Sequence, residues 1–418
     1  MPETTKFTKN NYCRLCKSKN LSNLIDFGDV ALGNNLQDTF KEAINVEEYP
    51  LQVLNCNKCN HFQLSCAVNP NLLYATNYTY LSGVGLSFVK HIKSYVEWVK
   101  HRTKLTDSSL VVEIGSNDGT CLEIFKNNGY KVCGVDPAEL AAKIAMEKNV
   151  FTINEFFNVN TSKTIINKFG QPDLITSQNV LAHVNDLGET FTNIYKLLKD
   201  KGYFVFEIGY FRNVLESGCF DTIYHEHLDY HHAAPLVKYL SSIGFDVVDL
   251  EVNNIQGGSL RLLLKKTGEG RVSLQAQDFL VNEKRSVLNN KNFLLNWSEK
   301  VVKICNNLEA VVKELLVNNV NCYAYGSPTK ATLLLKMSKF LQDNIRFIVE
   351  DNKNKVGKFL PKSSLPIYDV NELDFNTPAV IIILAWNFAD DIIIKLKKLY
   401  KVKVTVIIPL PELRVINI

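Results

Sequence analysis

The feature that most constrains this chain is an apolar run, 110–114, that opens directly into a turn rich in glycine. Gly115 and Gly119 lie in the turn, and a second apolar run ends in Asp136 about twenty residues later. Glycine lets a backbone approach a ligand closely, and an acid at the end of the next strand can bind ribose hydroxyls. The pattern therefore predicts a doubly wound α/β sheet with a ribose-containing ligand beyond the carboxyl ends of its strands.

The letters of this turn distinguish between two kinds of ligand. A dinucleotide fingerprint reads G-x-G-x-x-G, whereas residues 113–119 read E-I-G-S-N-D-G and lack the second glycine. They resemble motif I of the class I S-adenosylmethionine (SAM) methyltransferases, which implies SAM as the cofactor. The turn then surrounds the methionine part, Asp136 binds the ribose, and residues after the third and fourth strands border the adenine and the amino acid end. The SAM contacts so implied are Glu113, Gly115, Asn117, Asp118, Gly119, Asp136, Asn154, Phe156, Gln178 and Asn179. The alternative is turn chemistry alone, with Asp136 as a cap where Pro137 starts the next helix.

Length and composition exclude several classes of protein. The chain has 418 residues, enough for two or three domains, with 46% hydrophobic and 22% charged residues and a net charge of +4. No dense basic run indicates a nucleic acid, and the longest apolar stretch, 379–386, is too short to cross a bilayer. No signal segment is visible at the N-terminus, so ten cysteines indicate reduced thiols. We expect a cytoplasmic monomer without a membrane or nucleic-acid partner.

Two cysteine pairs near the N-terminus predict a metal site. Each pair has the spacing C-x-x-C, so each can place two thiolates on one tight turn. Together they complete a closed, structural Zn²⁺ site, and the candidate ligands are Cys13, Cys16, Cys56 and Cys59. The alternatives are a redox pair or coincidence, and no thioredoxin-like setting supports the former. We expect a zinc-binding module whose fold forms one wall of a cleft.

Alternating strand and helix patterns follow the first glycine turn. Residues 245–252 and 259–265 form a later pair that is typical of the antiparallel hairpin closing a methyltransferase sheet. The predicted parallel strands are 110–114, 131–136, 150–153, 173–177 and 203–208. Residues 274–317 have helical spacing without glycine or proline, and a second α/β unit begins after them. The predicted domains are a zinc module (1–75), a class I methyltransferase domain (76–273), a helical linker (274–317) and a Rossmann-like domain (318–418).

A histidine-rich loop after the fifth strand carries the candidate chemistry. Four of the eight histidines lie between 225 and 232, and His183 follows the fourth strand. Methylation of carbon by a sulfonium donor needs a base next to a carbonyl and a donor to the enolate oxygen. Tyr224, Glu226 and His227 supply a donor, an orienting carboxylate and a base, provided that a turn brings Tyr224 and His227 together. The alternatives are a second metal site and a loop that only packs or is solvated, the latter favoured for the last two histidines.

The assembled motifs resemble one family over nearly the whole chain: the SAM-dependent C-methyltransferases of nucleotide-linked keto-deoxysugars. The resemblance rests on the two cysteine pairs, the SAM motif, the letters Y-H-E-H at 224–227 and the second Rossmann-like unit, in that order. It implies active-site roles for Tyr78, His183, Tyr224, Glu226 and His227, with His227 as the base. At position 256 this chain has glutamine where the family pattern predicts histidine.

The same resemblance places part of a nucleotide-sugar substrate against the last domain. A glycine turn at 326 precedes a lysine at a helix start, a combination that can bind phosphate. Lys330, Asp351 and Lys355 are therefore candidate substrate contacts, although ordinary solvated side chains are an equal alternative. Lys362 stands where the family pattern predicts glycine.

These observations lead to one hypothesis and two alternatives. The hypothesis is C-methylation of a nucleoside-diphosphate 4-keto-deoxysugar, next to the ketone, through an enolate. One alternative is O- or N-methylation of another small molecule. The other is a zinc-knuckle nucleic-acid-binding protein without catalysis, which the weak net charge disfavours.

Overall fold

A computed structural model of the chain describes residues 6–74, 81–317 and 320–418. The first part is a small module built on a long antiparallel hairpin. Its elements are β1 (Phe7–Lys9), β2 (Leu21–Ala31), α1 (Phe40–Asn45), β3 (Glu48–Cys56), β4 (Phe62–Leu64), β5 (Cys66–Val68) and α2 (Pro70–Tyr74). Thr39 and Glu42 form a capping box that starts α1. The stretch between the two cysteine pairs is thus filled by β2, α1 and β3.

The central part is a seven-stranded sheet with helices on both faces. Its elements are α3 (Leu86–Arg102), β6 (Leu110–Ile114), α4 (Thr120–Asn127), β7 (Lys131–Val135), α5 (Glu139–Glu147), β8 (Thr152–Ile153), α6 (Val159–Phe169), β9 (Leu174–Gln178), α7 (Leu187–Leu197), β10 (Tyr203–Gly209), α8 (Phe211–Ser217), β11 (Asp229–Tyr230), α9 (Ala233–Ser242), β12 (Phe245–Asn253) and β13 (Ser259–Lys266). The strand order is β12-β13-β10-β9-β6-β7-β8, and β13 alone among these described strands is antiparallel to its neighbours. The predicted class I methyltransferase sheet with its closing hairpin is confirmed, and helix α6 is an addition to the prediction.

Strand β11 does not join this sheet. It pairs antiparallel with β4, so that Asp229 lies opposite Gln63 and Tyr230 opposite Phe62. The first module therefore has a four-stranded sheet in the order β11-β4-β3-β2, whose edge strand comes from the central part of the chain. This pairing fixes the end of the histidine-rich loop to the first module.

Three linker helices connect the central sheet to the last one: α10 (Leu274–Lys284), α11 (Lys291–Leu295) and α12 (Trp297–Leu315). The buried carboxylate of Glu283 on α10 accepts hydrogen bonds from the backbone N–H groups of Ala233 and Ala234, at 2.8 and 2.7 Å. It thereby satisfies two of the free donors at the start of α9. The linker is consequently joined to the central domain by a specific cap.

The last part is a six-stranded sheet. Its elements are β14 (Asn321–Tyr325), α13 (Ala331–Met337), α14 (Lys339–Asn344), β15 (Ile348–Glu350), β16 (Ile367–Asp369), β17 (Ala379–Ile383), α15 (Ala389–Leu399), β18 (Thr405–Ile408) and β19 (Arg414–Asn417). The order is β16-β15-β14-β17-β18-β19, parallel except for β19. The apolar stretch that suggested a buried strand forms β17, in which every residue is buried. Within the described ranges, no helix has the length and apolarity needed to cross a bilayer.

Candidate active site

A cleft of about 1590 Å³ lies between the three folded parts, at the carboxyl ends of the parallel strands, and we call it the central cleft. Its walls include Asn34 from the first module, the glycine turn after β6, the histidine-rich loop, and Lys330 and Trp386 from the last domain. A pocket for one small ligand usually measures roughly 300–1,000 Å³. The central cleft therefore has room for two ligands side by side.

The turn after β6 is built so that backbone, and not side chain, faces the central cleft. Gly115 has a φ of +70°, and an added Cβ would lie 2.1 Å from the side chain of Val180, so only glycine fits. The carboxylate of Asp136 accepts hydrogen bonds from the backbone N–H groups of Asn117 and Ala138, at 2.8 and 2.9 Å. Asp136 thus holds the turn in shape while it lines the cleft.

Glu113 supplies an observation that bears on the ligand. Its side chain is buried at the cleft wall, and among the described residues nothing bonds to its Oε2 atom. Burial raises the pKa of this carboxyl group well above its usual value. A buried carboxyl oxygen without a partner is costly unless a ligand satisfies it, and a cationic ligand does so best. SAM carries an ammonium and a sulfonium, so the residues of this site fit SAM.

The ten residues implied as SAM contacts divide into two groups. Seven of them line the central cleft: Glu113, Gly115, Asn117, Asp136, Phe156, Gln178 and Asn179. Asp118, Gly119 and Asn154 do not line the cleft. The carboxylate of Asp118 accepts from the backbone N–H of Gly83 at 2.9 Å, and Asn154 donates to the Asp136 carbonyl at 3.0 Å. Asp118 and Asn154 thus contact neighbouring backbone and not the cleft.

The four predicted zinc ligands come together. Their sulfur atoms all lie within 4.8 Å of one another, with 3.6 Å between Cys13 and Cys59 and between Cys16 and Cys56. Four thiolates at about 2.3 Å from a tetrahedral Zn²⁺ require sulfur separations of this size. Hydrogen bonding with Cys59 lowers the pKa of the Cys13 thiol to about 5. The donor set fits a closed structural zinc site.

Tyr224 and His227 form a hydrogen-bonded pair at the cleft wall. A turn closed by the His227 N–H and the Tyr224 carbonyl, at 2.9 Å, places both side chains on the same side. The His227 Nδ1 atom lies 2.9 Å from the Thr222 carbonyl oxygen, and Nε2 lies 2.7 Å from the Tyr224 hydroxyl. Because a carbonyl can only accept, Nδ1 carries the proton and the Nε2 lone pair accepts from the tyrosine. The turn required by the sequence argument is present, but the prediction that Glu226 orients the imidazole is wrong, because the Thr222 carbonyl and the Tyr224 hydroxyl contact its two nitrogens.

His183 lies against the same pair. Its ring centroid is 4.9 Å from that of His227, in an edge-to-face arrangement. Burial lowers the pKa of His183 to about 4 and that of His227 to about 3, and the His183 ring further disfavours charge on His227. Both imidazoles are therefore neutral near pH 7, so His227 is in the form that can accept a proton, while its lowered pKa makes it a weaker base than a free imidazole.

Glu226 meets a residue of the first module that the sequence gave no reason to select. Its Oε1 atom accepts a hydrogen bond of 2.7 Å from the Asn34 side chain, and both residues line the central cleft. Burial raises the pKa of Glu226 to about 7, although Asn34 and the charge of Lys355 oppose the shift. No local motif marks Asn34, because its role comes from the packing of the first module on the loop.

The three candidate residues of the last domain also line the central cleft. Lys330 is buried with its ammonium 3.3 Å from the centroid of the Trp386 ring, and burial lowers its pKa to about 8. Lys355 donates to the Ser327 carbonyl at 2.9 Å, and Asp351 accepts from the Tyr325 hydroxyl at 3.0 Å. The last domain thus brings both lysines to the central cleft, together with the carboxylates of Glu350, Asp351 and Asp391.

The remaining predicted residues have different positions. Tyr78 lies outside the described residues, and position 256 is in the short turn Ile255–Gly257. His231 and His232 are buried, as expected for a packing role, and His232 contacts Glu283 through Nδ1 at 3.1 Å. These last two histidines are structural.

Comparison with known proteins agrees with this architecture. A zinc binding domain matches residues 13–74, a methyltransferase domain matches 90–250, and a C-methyltransferase C-terminal domain matches 254–411. The C-methyltransferase NovU of Streptomyces niveus is 29% identical over 406 residues, which cover 97% of this chain and 96% of the relative.

Solved structures of methyltransferases resemble less than half of this chain in the two following examples. Magnesium protoporphyrin IX methyltransferase from Synechocystis with bound SAM is 16% identical, with a TM-score of 0.33 over 43% of this chain and 79% of its own. A SAM-dependent methyltransferase from Archaeoglobus fulgidus is 18% identical, with a TM-score of 0.36 over 43% of this chain and 94% of its own.

The fold, the SAM turn and the domain matches define the class: the chain is a class I SAM-dependent methyltransferase with a structural zinc module. Within that class it is a SAM-dependent C-methyltransferase, since it carries the C-methyltransferase C-terminal domain and matches NovU along nearly its whole length. The resemblance to C-methyltransferases with a zinc-binding module is confirmed.

Proposed function

We propose that this enzyme methylates a carbon next to the ketone of a nucleoside-diphosphate 4-keto-deoxysugar. The observation that carries the proposal is the Tyr224–His227 pair at the cleft wall, whose imidazole is held by the Thr222 carbonyl through Nδ1 and accepts from the Tyr224 hydroxyl through Nε2. A neutral imidazole in a fixed tautomer is the group expected to remove a proton from carbon at neutral pH. Methylation of oxygen or nitrogen needs no base that removes a proton from carbon, because no enolate is formed.

The walls of the central cleft support the substrate class. The SAM turn presents the buried carboxyl of Glu113, while the last domain contributes Lys330 and Lys355. A nucleoside diphosphate brings negative charge and a sugar ring, which suits the two lysines and not Glu113. We assign Lys330, Asp351 and Lys355 to the nucleotide part, and the sugar to the histidine-rich loop.

The chain's own residues account for enolate formation. His227 Nε2 removes the α proton, and the Thr222 carbonyl stabilises the resulting imidazolium through Nδ1–H. The Tyr224 hydroxyl, which donates to Nε2 at 2.7 Å without substrate, turns its hydrogen bond to the enolate oxygen and so frees the base. Glu226 and Asn34 are placed to bind a sugar hydroxyl. SAM, when bound, supplies a methyl group activated by a sulfonium.

Solvent exchange tests the first step separately from methylation. The keto-sugar is incubated with enzyme in deuterium oxide with S-adenosylhomocysteine in place of SAM, and loss of the α-proton signal is followed by NMR. We expect exchange with the wild type and none with His227→Asn, while calorimetry shows equal SAM affinity for both. A panel of 4-keto nucleotide sugars with SAM should yield one product heavier by a CH₂ group. Exchange at the wild-type rate in His227→Asn would remove His227 from the role of base.

A further inference from the structure

Arg14 makes a set of contacts that the proposed function does not use. It lies inside the first cysteine pair, between Cys13 and Cys16, and it is buried, with 6% of its surface exposed. Its Nε donates to both carboxylate oxygens of Asp229 at 3.0 Å, and its Nη2 donates to the Val184 carbonyl at 2.6 Å. One guanidinium thus joins two loops of the central domain to the zinc module.

Both contacts are adjacent in sequence to the two cleft histidines. Val184 directly follows His183, and Asp229 is the second residue after His227. The same two loops are joined once more by the Leu228 N–H, which donates to the Ala182 carbonyl at 2.7 Å. The 4.9 Å separation of the two imidazole rings is therefore set between these two attachments.

The Asp229 end of this bridge is rigid. Asp229 is in β11, paired with β4, and its Oδ1 also lies 2.8 Å from the Nε2 atom of His61. Burial by itself would raise the pKa of Asp229, but the charge of Arg14 and the contact with His61 lower this pKa to about 2. The carboxylate therefore stays charged, and the backbone N–H of Arg14 is itself held by the Gln63 side chain at 2.6 Å.

We propose that Arg14 is a positioning residue for catalysis: it holds the loops of His183 and His227 in register, so that the zinc knuckle determines the geometry of the base. Arginine suits this position because its planar fork donates in two directions, whereas a lysine ammonium is a single point that cannot reach both acceptors. The inference rests on the proposed function only where it names His227 as the base. The dependence of the His183 and His227 ring positions on Arg14 does not rest on the proposed function.

The decisive variant is Arg14→Lys, which keeps a positive charge for Asp229 and loses the bridge to Val184. The first readout is ¹⁵N NMR of histidine-labelled protein, with His227 assigned from its absence in His227→Asn. We expect the wild type to show a single Nδ1–H tautomer for His227, and Arg14→Lys to show shifted His183 and His227 signals. The second readout is steady-state kinetics, in which kcat falls about 100-fold while the KM for SAM is unchanged.

Two further variants separate positioning from folding. Asp229→Asn leaves the knuckle intact and should shift the same two histidine signals. Arg102→Lys removes part of another arginine–aspartate pair, Arg102 Nε to Asp249 Oδ2 at 2.9 Å, and should leave both readouts as in the wild type. Zinc content and thermal unfolding are measured for all three variants.

The outcomes are distinct. Unchanged histidine signals in folded, zinc-loaded Arg14→Lys or Asp229→Asn overturn the proposal, as does a kcat within about twofold of the wild type. If Arg14→Lys loses its zinc, Asp229→Asn alone decides. Should wild-type protein neither exchange nor methylate any keto-sugar while the histidine signals still depend on Arg14, the proposed substrate is wrong and the positioning role stands.

Discussion

The two large sheets that flank the central cleft each end their first strand in a glycine that nothing else can replace. Gly115 after β6 has a φ of +70°, and its Cβ would lie 2.1 Å from Val180. Gly326 after β14 has a φ of +87°, and its Cβ would lie 2.5 Å from Ala385. Both turns therefore present backbone to the cleft for the same steric reason.

An acid on the neighbouring strand steadies each turn. Asp136, after β7, accepts from the Asn117 N–H at 2.8 Å, and Glu350, at the end of β15, accepts from the Ser327 N–H at 2.8 Å. In both sheets the acid belongs to the strand that follows the turn in sequence and pairs beside it. Both glycine turns are therefore held in the same way, by a carboxylate that accepts a hydrogen bond from a backbone N–H of the turn.

The two turns differ in the ionisable side chain that lies beside the glycine. The first turn carries the buried carboxyl of Glu113, and the second is followed by the buried ammonium of Lys330. One turn is thus suited to a cationic ligand and the other to an anionic one. We infer that one or two side chains beside the glycine turn determine whether the turn binds a cationic or an anionic ligand.

The largest effect is expected from Gly115→Ala, because the added methyl overlaps Val180 and the φ becomes unfavourable. Calorimetry should show SAM affinity reduced at least about 100-fold, which corresponds to about 2.7 kcal/mol. Gly28→Ala is the matched control, since Gly28 has a φ of +68° with no atom within 4 Å of its Cβ. It should cost about 1–2 kcal/mol of stability and leave SAM affinity unchanged. Full SAM affinity in Gly115→Ala contradicts the close approach.

Lys330→Met tests whether the second turn binds an anionic ligand. Removal of a buried ammonium should weaken binding of TDP about 30-fold, in the range of a charge-assisted hydrogen bond, and leave SAM affinity unchanged. Lys336→Met on the same helix is the control, because Lys336 is 34% exposed and does not line the cleft. Equal TDP affinity in all three proteins would mean that the second turn does not recognise phosphate.

Glu113→Gln should have the opposite selectivity to Lys330→Met: it should weaken SAM binding and not TDP binding, by a smaller factor. The amide keeps the shape of the side chain and removes its charge, so calorimetry should show SAM affinity reduced about tenfold and TDP affinity unchanged. Stronger SAM binding in this variant would show that Glu113 is a neutral acid in the complex.

The smallest expected effect is on the pH dependence of stability, through the buried histidine His225. Burial lowers the pKa of His225 from 6.5 to about 4, so the folded state binds fewer protons than the unfolded state in that window. Its stabilising contribution is complete above pH 6.5 and is lost as the pH falls toward 4. Replacing it in His225→Gln should reduce the loss of unfolding free energy between pH 6.5 and 5.5 by about 1 kcal/mol, measured by urea denaturation.

Glu226 provides a control of opposite sign. Its pKa is raised from 4.5 to about 7, so its contribution is complete below pH 4.5 and is lost as the pH rises through 7. Glu226→Gln should therefore remove the loss of unfolding free energy that this carboxyl group causes as the pH rises from 4.5 to 7, and leave the profile below pH 4.5 unchanged. An identical pH profile for both variants and the wild type would contradict these assignments.

Local spacing was enough to predict much of this site. Cys13 and Cys16 share one turn, Gly115 follows an apolar strand directly, and Tyr224 and His227 are three residues apart. Groups so close in the chain can be placed from the conformation of a single turn. The order of strands and helices, with the closing hairpin, followed from alternation of the same local kind.

Other parts of the site could not be predicted in this way. Asn34 bonds to Glu226, and Arg14 bonds to Asp229, although each pair is separated by about two hundred residues of chain. Strand β11 consists of Asp229 and Tyr230 alone, too short to produce an alternation pattern, and it exists because β4 is there to pair with it.

The sequence by itself determined which chemical groups this protein possesses: four thiolates that can hold zinc, a glycine turn of the SAM-binding type, and a tyrosine and a histidine three residues apart. Only the tertiary structure decided how those groups are held, through the contacts of Arg14 with Asp229 and Val184 and the packing of three folded parts around one cleft. The physical reason is that local backbone geometry places neighbours in the chain, while contacts between distant residues exist only once the surfaces that carry them are packed together.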